Sequence, residues 1–403
     1  MKRRIRLATV FLLAVTFPVI GAQQDVAGEE VVLYTNADIE TLEPLPTVDN
    51  IVRVRTFART LEGMQKEALI QYGPTDTVWR VVSDEGPWLN GTDLAPFPLA
   101  FFTAGMSASL MSDFLDEAGE RGTRVDKLDL AQDNFFTMEG SALKGTMAAS
   151  VQPMRVSIAA SGDASPKEIE RIADAAVRQR SATNRCLCEC LPSRFAVRAN
   201  NHGLSWPGIL ADSVTGLPDP ADIFDGVRPM SDRGPDLISK VAIVDASQES
   251  AVGLTSEQKR IVHVNTEGSF RDDGLKSLDV ECIHPAGSRF RMISDNTSLA
   301  GDKGRAPDGL SYLSAGVAFC FMTQIGRYAQ ISKQQLRAYR IIQDTAFRLL
   351  QNGDPQAFAI ETLVCLDTDE PQDKSLQLVK MAEQTCYIHA AFRIATETEL
   401  TIA

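Results

Sequence analysis

Two kinds of hydrophobic pattern, one typical of strands and one of buried helices, alternate along the chain, and each occurs in both halves. Alternating segments rich in β-branched residues predict half-buried strands. They lie at 52–55, 79–83, 261–264, 278–282 and 290–294. Two longer segments, 98–115 and 309–328, are apolar on almost every face and therefore predict buried helices.

The rest of each half repeats one order of predicted elements. A strand at 154–159 precedes an amphipathic helix at 165–180 and a closing strand at 194–197. The corresponding segments of the second half lie at 358–366, 372–392 and 399–402. Because strands are segregated from two main helices in each half, this order predicts an α+β fold with an antiparallel sheet in each half.

The two halves also share residues at a fixed spacing. Five features recur 211 residues later: Gly63 as Gly274, Trp79–Asp84 as Phe290–Asp295, Ala95-Pro96 as Ala306-Pro307, Leu99 as Leu310, and Ala104-Gly105 as Ala315-Gly316. A constant spacing of this kind indicates tandem units. We predict one unit over 30–200 and another over 258–403. The connecting segment at 201–257 is rich in Pro, Gly and Asp, and a short strand is predicted at 241–245.

Composition narrows the range of functions. The 403 residues are 44% hydrophobic and 23% charged, which is globular and sufficient for two or three domains at roughly 100–200 residues each. A net charge of −13 argues against nucleic acid as a partner and favours a small molecule. No internal stretch approaches the ~20 apolar residues of a membrane span, so no stable span is expected.

The N-terminus has the layout of a secretory signal peptide. Residues 1–6 are basic, residues 7–20 are mostly apolar, and Gly21-Ala22 supplies small residues before a polar stretch. We predict a signal peptide over 1–22 and an exported protein, periplasmic or secreted. The alternative is an N-terminal anchor that is not cleaved.

The chain has seven cysteines, too few for a disulfide scaffold at this length. An odd number in an exported protein leaves at least one thiol free or employed otherwise. Cys186, Cys188 and Cys190 alternate, so an extended backbone would place them on one face, where they could bind a soft metal or form a disulfide. They lack the CxxC spacing of a zinc site, and we expect no metal.

Two further cysteines lie in segments that resemble the OsmC/Ohr family. Leu313–Phe321, with Cys320, resembles the family's buried helix of small residues and Ala-Gly that ends in a cysteine. Ala382–Ile388, with Cys386, resembles the later helix that carries a second cysteine, although Tyr387 stands where proline is usual. The first half resembles the framework of the family over Trp79–Asp84, Asn90–Asp93 and Pro96–Leu99.

This resemblance implies a fold and an assembly. The family forms an intertwined homodimer, in which two antiparallel sheets wrap two long helices and the active sites lie at the subunit interface. A chain with two such units is expected to form this arrangement within itself, as an intramolecular pseudo-dimer. A homodimer of whole chains is the alternative.

The resemblance also implies a chemistry. It places Cys320 in the peroxidatic position and Cys386 in the resolving position of a thiol peroxidase that acts on small organic hydroperoxides. Such an enzyme needs no cofactor, but an external dithiol must reduce it. In the family an arginine from the N-terminal hairpin faces the peroxidatic thiolate, and Arg271 is the candidate. The glutamate that braces this arginine is missing, because Leu310 and Ser311 stand at the matching positions.

The first unit is expected to be inactive. Ser109 lies 211 residues before Cys320, and either Ser181 or, in a rival register, Cys186 lies opposite Cys386. His389, one helical turn after Cys386, is interpreted as an ordinary surface histidine, with contact to Cys386 as the alternative. The alternative to a peroxidase is a non-catalytic OsmC-like module that binds an apolar ligand or partner.

Overall fold

The computed structural model describes residues 42–46, 50–225, 237–243, 251–296, 304–350 and 354–403. It also describes the backbone of three two-residue strands, Gln23–Gln24, Glu30–Val31 and Thr35–Asn36. The predicted signal peptide at 1–22 lies outside the described residues.

Both halves of the chain follow the same order of elements. The first half contains β1 Val52–Thr60, β2 Lys66–Tyr72, β3 Thr77–Ser83, α1 Pro98–Glu120, β4 Val125–Ser141, β5 Met154–Gly162, α2 Pro166–Ala175, α3 Ala182–Cys188 and β6 Ser193–Ala199. The second half contains β7 Glu257–Phe270, β8 Lys276–His284, β9 Arg289–Ser294, α4 Gly309–Ser332, β10 Leu336–Arg348, β11 Ile360–Thr368, α5 Gln372–Thr385, α6 Tyr387–Arg393 and β12 Thr398–Ile402. The remaining elements are the shorter strands Ala148–Val151, His202–Leu204, Ile238–Ala242 and Gln356–Ala357, the short helix Ala221–Asp225, and the helical turns Pro87–Leu89, Ala176–Arg180 and Val252–Leu254.

The strands form two sheets, and each sheet draws on both halves. The main strands of the first sheet follow the order β9-β8-β7-β4-β5-β12, and those of the second follow β3-β2-β1-β10-β11-β6. Each sheet therefore contains a three-stranded meander from one half, followed by two strands from the other half. The edge strand beyond these two comes from the same half as the meander. The long antiparallel pairs β7–β4 and β1–β10 join the halves.

Two buried helices fill the space between the sheets. Helix α1 packs on β7, β8 and β4, whereas α4 packs on β1, β2 and β10, and the two helices pack on each other. A Cβ on Gly105 would lie 2.6 Å from the carbonyl oxygen of Gly309, and one on Gly316 would lie 2.5 Å from the backbone nitrogen of Phe102. Because no side chain fits at either point, these glycines let the two backbones meet.

Helix α4 is the one described helix that is long and apolar enough to cross a membrane. Its most apolar window is 94% buried within the protein. Because both its faces are covered by α1 and by the second sheet, its apolar composition is accounted for by the core.

The structure confirms the predicted mixed α+β class and differs from the prediction in detail. The strands β2, β4 and β10 were not predicted, because their sequences mix charged residues into the alternation. The sheets are not wholly antiparallel, since the closing strands β6 and β12 pair in parallel with β11 and β5.

The connecting segment is partly ordered, and its strand begins three residues before the one predicted at 241–245 and ends at Ala242. Ile238–Ala242 pairs with β9 and extends the first sheet. The cysteines of the CxCxC segment are not extended as the metal or disulfide interpretation required, because Cys186 and Cys188 lie in α3. In the described part of the chain, no group of three or more His, Cys, Asp or Glu side chains could hold a metal ion.

Candidate active site

The two cysteines singled out in the second half lie in contact. Cys320 lies in the middle of α4, and Cys386 joins α5 to α6. Their sulfur atoms are 3.3 Å apart, and both residues are free thiols. Cys320 is 2% exposed and Cys386 is fully buried. A disulfide of roughly 2.0 Å therefore requires only a small further approach of the two sulfurs.

A break in the helix sets the position of Cys386. The predicted continuous helix 372–392 ends at Thr385, and Cys386 is extended, with φ −75° and ψ 122°, before α6 begins at Tyr387. Burial and the adjacent Cys320 raise the pKa of Cys386 well above its ordinary value, while backbone N–H groups of α6 partly oppose this shift. Cys386 is therefore a protonated thiol that donates its S–H to the sulfur of Cys320.

His389 touches the other side of Cys386. Its Nδ1 lies 3.2 Å from the sulfur of Cys386. The ring is fully buried between the aromatic rings of Phe195 and Phe321, with centroid separations of 6.0 and 5.1 Å. The interpretation of His389 as a surface residue is therefore wrong, because the break at Cys386 turns α6 inward.

Two charged residues of the first half lie buried near α4 and interact with each other. Lys66 on β2 and Glu85 after β3 are both buried. Burial lowers the pKa of Lys66, and the negative charges of Glu85, Asp84 and Cys320 oppose that shift. Burial raises the pKa of Glu85 to about 6, with Lys66 opposing, and the carboxylate accepts a hydrogen bond of 2.6 Å from Thr323, one turn after Cys320.

Asp84 shapes the loop that carries Glu85. Its carboxylate accepts hydrogen bonds from the backbone N–H groups of Glu85, Thr92 and Leu94, at 2.7, 3.1 and 3.1 Å. The hydroxyl of Thr92 donates a further bond at 2.5 Å. These bonds close the loop into a compact turn, so that Glu85 and Trp88 are held against α4.

A small cavity adjoins Cys320 and lies between the halves. Most of its wall is apolar: Trp88, Leu89, Phe97, Pro98, Leu99, Val262, Cys282 and Tyr387. Glu85, Thr323 and Gln324 supply its polar atoms. An apolar wall with a few polar groups beside a thiol suits a small, largely apolar molecule.

Two arginines support the wall of the cavity. Arg260 on β7 donates to the hydroxyl of Tyr387 at 2.9 Å and lies 4.7 Å from the ring centre of Trp88. Arg327 on α4 is buried and donates to the carbonyl of Gly253 at 2.6 Å. Burial and the charge of Arg260 lower the pKa of Arg327 to about 9. Tyr387 stands where the resembled family has proline, and its hydrogen bond from Arg260 holds it in the wall of the cavity.

The structure brings Cys320 and Cys386 together but does not bring Arg271 to them. Arg271 lies at the turn between β7 and β8, where its guanidinium pairs with Asp273 at 2.9 Å and the side chain is 46% exposed. This meander packs on α1, whereas Cys320 lies on α4. A cation that interacts electrostatically with Cys320 is Lys66, from the meander of the other half.

Sequence reasoning missed Lys66 and Glu85 because it sought the partners of Cys320 in the same half. One signal was available in the sequence. Lys66 begins the apolar strand β2, and Lys276 begins β8 in the second half. A lysine that is placed alike at the start of a buried strand in both halves marks an interior position rather than a surface one.

The matching location in the first half holds no cysteine pair. Ser109 on α1 is buried, and its hydroxyl has no hydrogen-bond partner among the described residues. Ser181 precedes α3 as Cys386 precedes α6, and its hydroxyl accepts from the backbone N–H of Asn184. Near it, burial raises the pKa of Asp113 to about 7 and lowers that of Lys276 to about 8.

Comparison with known proteins gives little beyond this geometry. No family model and no curated protein matches the chain. One solved structure that it resembles weakly is an OsmC-like hydroperoxide resistance protein from Jannaschia sp. CCS1, with 21% sequence identity over 30% of this chain and 79% of that one. Its TM-score is 0.20, so the match supports no conclusion about mechanism. The fold and site define the chain as a two-sheet α+β protein with a buried pair of adjacent thiols.

Proposed function

We propose that the protein is a thiol-dependent peroxidase that reduces small organic hydroperoxides through Cys320 and Cys386. The observation that carries this proposal is the 3.3 Å contact between two buried free thiols beside an apolar cavity. Buried cysteines are ordinarily core residues with apolar neighbours. Two thiols that face each other, with a lysine and a carboxylate at the same place, favour a redox function instead.

The proposed cycle has two steps at the protein. The thiolate of Cys320 attacks the terminal peroxide oxygen, the O–O bond breaks, and the alkoxide leaves and takes a proton to become the alcohol. Cys320 is then a sulfenic acid. The sulfur of Cys386 attacks it, so that the S–S bond forms, the S–O bond breaks, and hydroxide leaves. An external dithiol supplies two electrons by thiol–disulfide exchange and restores both thiols.

Lys66, rather than Arg271, is proposed as the cation that favours the thiolate of Cys320. An opposite charge nearby favours the ionised form of a thiol, whereas burial alone disfavours it. Glu85 favours the charged form of the buried lysine, since its carboxylate opposes the lowering of the pKa of Lys66 by burial. Lys66 and Glu85 would thus have the roles that the arginine and the glutamate have in the family that this chain resembles.

We further propose that the two halves are duplicated OsmC-like units, arranged as an intramolecular pseudo-dimer. The exchange of strands between halves in both sheets supports this proposal, as do the glycines 211 residues apart where α1 meets α4. The first unit would then persist because it contributes Lys66, Glu85 and half of the cavity wall to the second unit's site. Its own site, with Ser109 and Ser181, would be inactive.

Export remains a proposal that rests on residues 1–22. We expect cleavage after Ala22 when the full-length gene is expressed in a bacterium with its own export machinery. N-terminal sequencing of the periplasmic fraction measures this directly. Protein that stays in the cytoplasm with residue 1 intact would contradict it.

The peroxidase proposal is tested by mapping disulfides after a slight excess of cumene hydroperoxide is added to the reduced protein. We expect rapid formation of a Cys320–Cys386 bridge, which is abolished by Cys320→Ser. Cys365→Ser is the matched control, because Cys365 is also buried but belongs to a separate apolar cluster. Thiols that stay unreacted, or slow oxidation spread over all seven cysteines, would overturn the proposal and favour a module that binds an apolar ligand.

A further inference from the structure

We propose that His389 acts in the second step of the cycle, by donating a hydrogen bond from Nδ1 to the thiolate of Cys386 as it attacks the Cys320 sulfenic acid. This inference rests on the proposed peroxidase function and assigns a third catalytic residue to it. The histidine contacts a reacting atom directly, since its Nδ1 lies 3.2 Å from the sulfur of Cys386.

The surroundings of the ring hold it in this position. Phe195 from β6 and Phe321 from α4 flank the imidazole, and no part of His389 is exposed to solvent. Within the described residues, Nε2 is buried and has no hydrogen-bond partner. The contact with Cys386 is thus the polar contact that the ring makes, and a buried polar ring in an apolar pocket needs such a contact.

The hydrogen-bond pattern assigns the ring proton to Nδ1. A neutral imidazole carries one N–H and one lone pair. If Nε2 carried the proton, a buried N–H would be left without an acceptor, which is rarer than a buried acceptor without a donor. With the proton on Nδ1, a directed chain results, in which His389 donates to Cys386 and Cys386 donates to Cys320.

The pKa values of His389 and Cys386 indicate that His389 acts as a hydrogen-bond donor rather than as a base. Burial, with the charge of Arg393 adding to it, lowers the pKa of His389 to about 3. The pKa of the Cys386 thiol is raised far above its ordinary value, chiefly by burial and by Cys320. Transfer of a proton from Cys386 to His389 would therefore be strongly uphill. A neutral N–H donor avoids this cost and stabilises the thiolate by a charge-assisted bond.

The proton and electron balance follows from this arrangement. The alkoxide that leaves in the first step takes the proton of Cys386, so that alcohol is released and Cys386 becomes a thiolate. His389 then holds that thiolate without changing its own protonation state. The thiolate attacks the sulfenic sulfur, two electrons form the S–S bond, and hydroxide departs and is neutralised by solvent.

The first half offers an internal comparison. His389 is the third residue after Cys386, and Asn184 is the third residue after Ser181. The side-chain amide of Asn184 donates to the carbonyl of Val177, in the helical turn before α3, at 3.0 Å and to the sulfur of Cys188 at 3.5 Å. Among the described contacts, a side chain three residues on touches the matching cysteine in the second half, whereas the amide of Asn184 is directed away from Ser181 to these other partners.

The test follows the two chemical steps separately in the wild-type protein and in His389→Phe and His389→Asn. Phenylalanine keeps the aromatic packing and removes the donor, whereas asparagine can restore an N–H near the position of Nδ1. Sulfenic acid is trapped with dimedone, and the Cys320–Cys386 bridge is followed by rapid quenching and mass spectrometry. Phe392→Leu is the control for altered packing of α6, because Phe392 lies in the same helix as His389 and is buried against Phe102.

We expect sulfenic acid to form at the wild-type rate in every variant. Closure of the bridge should slow by roughly 10- to 100-fold in His389→Phe, as expected for loss of a hydrogen bond to a charged group. It should recover largely in His389→Asn and change little in Phe392→Leu. The pH at which closure is half-maximal should rise in His389→Phe alone. The titratable and charged groups near this sulfur are Cys320, His389 and Arg393.

Two results would overturn the inference. Closure within twofold of wild type in His389→Phe would show that the donor is not used. Equal slowing in His389→Phe and Phe392→Leu would indicate a packing role. Failure of the peroxidase proposal is distinguishable from both, because the wild-type protein would then trap no sulfenic acid at Cys320.

Discussion

At the scale of single residues, the proposed chemistry depends on which charges surround the thiol of Cys320. The cysteines could be predicted from sequence because each lies in a short motif whose residues are contiguous. Lys66 and Glu85 could not, because they come from the other half and reach Cys320 only through the exchange of strands between the halves. The presence of a charged residue in an apolar strand does not indicate which residue of the other half it will interact with.

Replacing Lys66 should slow the first step far more than replacing Arg271. In Lys66→Met the thiolate of Cys320 loses the cation beside it, and we expect sulfenic acid formation at pH 7 to slow by roughly 10- to 100-fold. Arg271→Met removes a cation that pairs with Asp273 in an exposed turn. Stopped-flow kinetics with cumene hydroperoxide would measure both, and equal effects of the two substitutions would contradict the assignment of Lys66.

Glu85 should make stability depend on pH in the acid range. Its pKa is about 6 in the folded protein, against an ordinary value of 4.5. Between these values the folded state binds more protons than the unfolded state, so stability falls as pH rises from about 4.5 to 6. The loss amounts to about 2 kcal/mol.

Denaturant titrations at several pH values would test this dependence. In Glu85→Gln the loss between pH 4.5 and 6 should be smaller by about 2 kcal/mol, whereas the exposed Glu62→Gln should leave it unchanged. A remainder is expected, because burial also raises the pKa of Asp113 and of Asp308. A wild-type stability that rises through this window in step with that of Glu85→Gln would contradict the raised pKa of Glu85.

At the scale of elements, two interruptions of regular structure position the site. The break at Cys386 turns the resolving cysteine and His389 toward α4, and the turn organised by Asp84 presents Glu85. The amphipathic pattern over 372–392 predicts a continuous helix correctly in its extent but gives no sign of the break. Periodicity shows only which positions are apolar. Because α5 and α6 both bury their apolar residues, the pattern does not change at the break between them.

The crossing of α1 and α4 should tolerate no added methyl group. Gly105→Ala places a Cβ against the backbone of α4, so the helices must move apart. We expect a loss of unfolding free energy of about 1–3 kcal/mol or more, as for overpacked cores. Gly119→Ala in the same helix meets nothing within 4 Å, so it should stabilise the helix by about 0.5–1 kcal/mol. Thermal unfolding of both variants checks this contrast.

At the scale of the whole molecule, the proposed pseudo-dimer explains why a first half without a cysteine pair is retained. Each sheet is completed by strands of the other half, so neither half has a closed core alone. The sequence repeat allows two units to be predicted, and the mixed α+β class follows from the order of patterns. The interlacing of strands does not follow from those patterns, since the strands β4 and β10 that join the halves carry too many charged residues to be recognised.

A pseudo-dimer within one chain predicts a monomer in solution. In the proposed pseudo-dimer, the paired sheets occupy the positions that a second subunit would fill. Native mass spectrometry at micromolar concentration should therefore give a mass near that of one chain, 43.9 kDa before any processing. A mass near two chains would contradict a complete pseudo-dimer and favour a homodimer of whole chains.

The most direct test of the central claim is the stoichiometry of a single turnover. Reduced protein is mixed with one equivalent of cumene hydroperoxide in the absence of any reductant, and cumyl alcohol and the Cys320–Cys386 bridge are quantified together. The account predicts one alcohol and one bridge per chain, formed at the same final extent. Alcohol without the bridge, or hydroperoxide that stays intact beside free thiols, would contradict a peroxidase cycle at this pair.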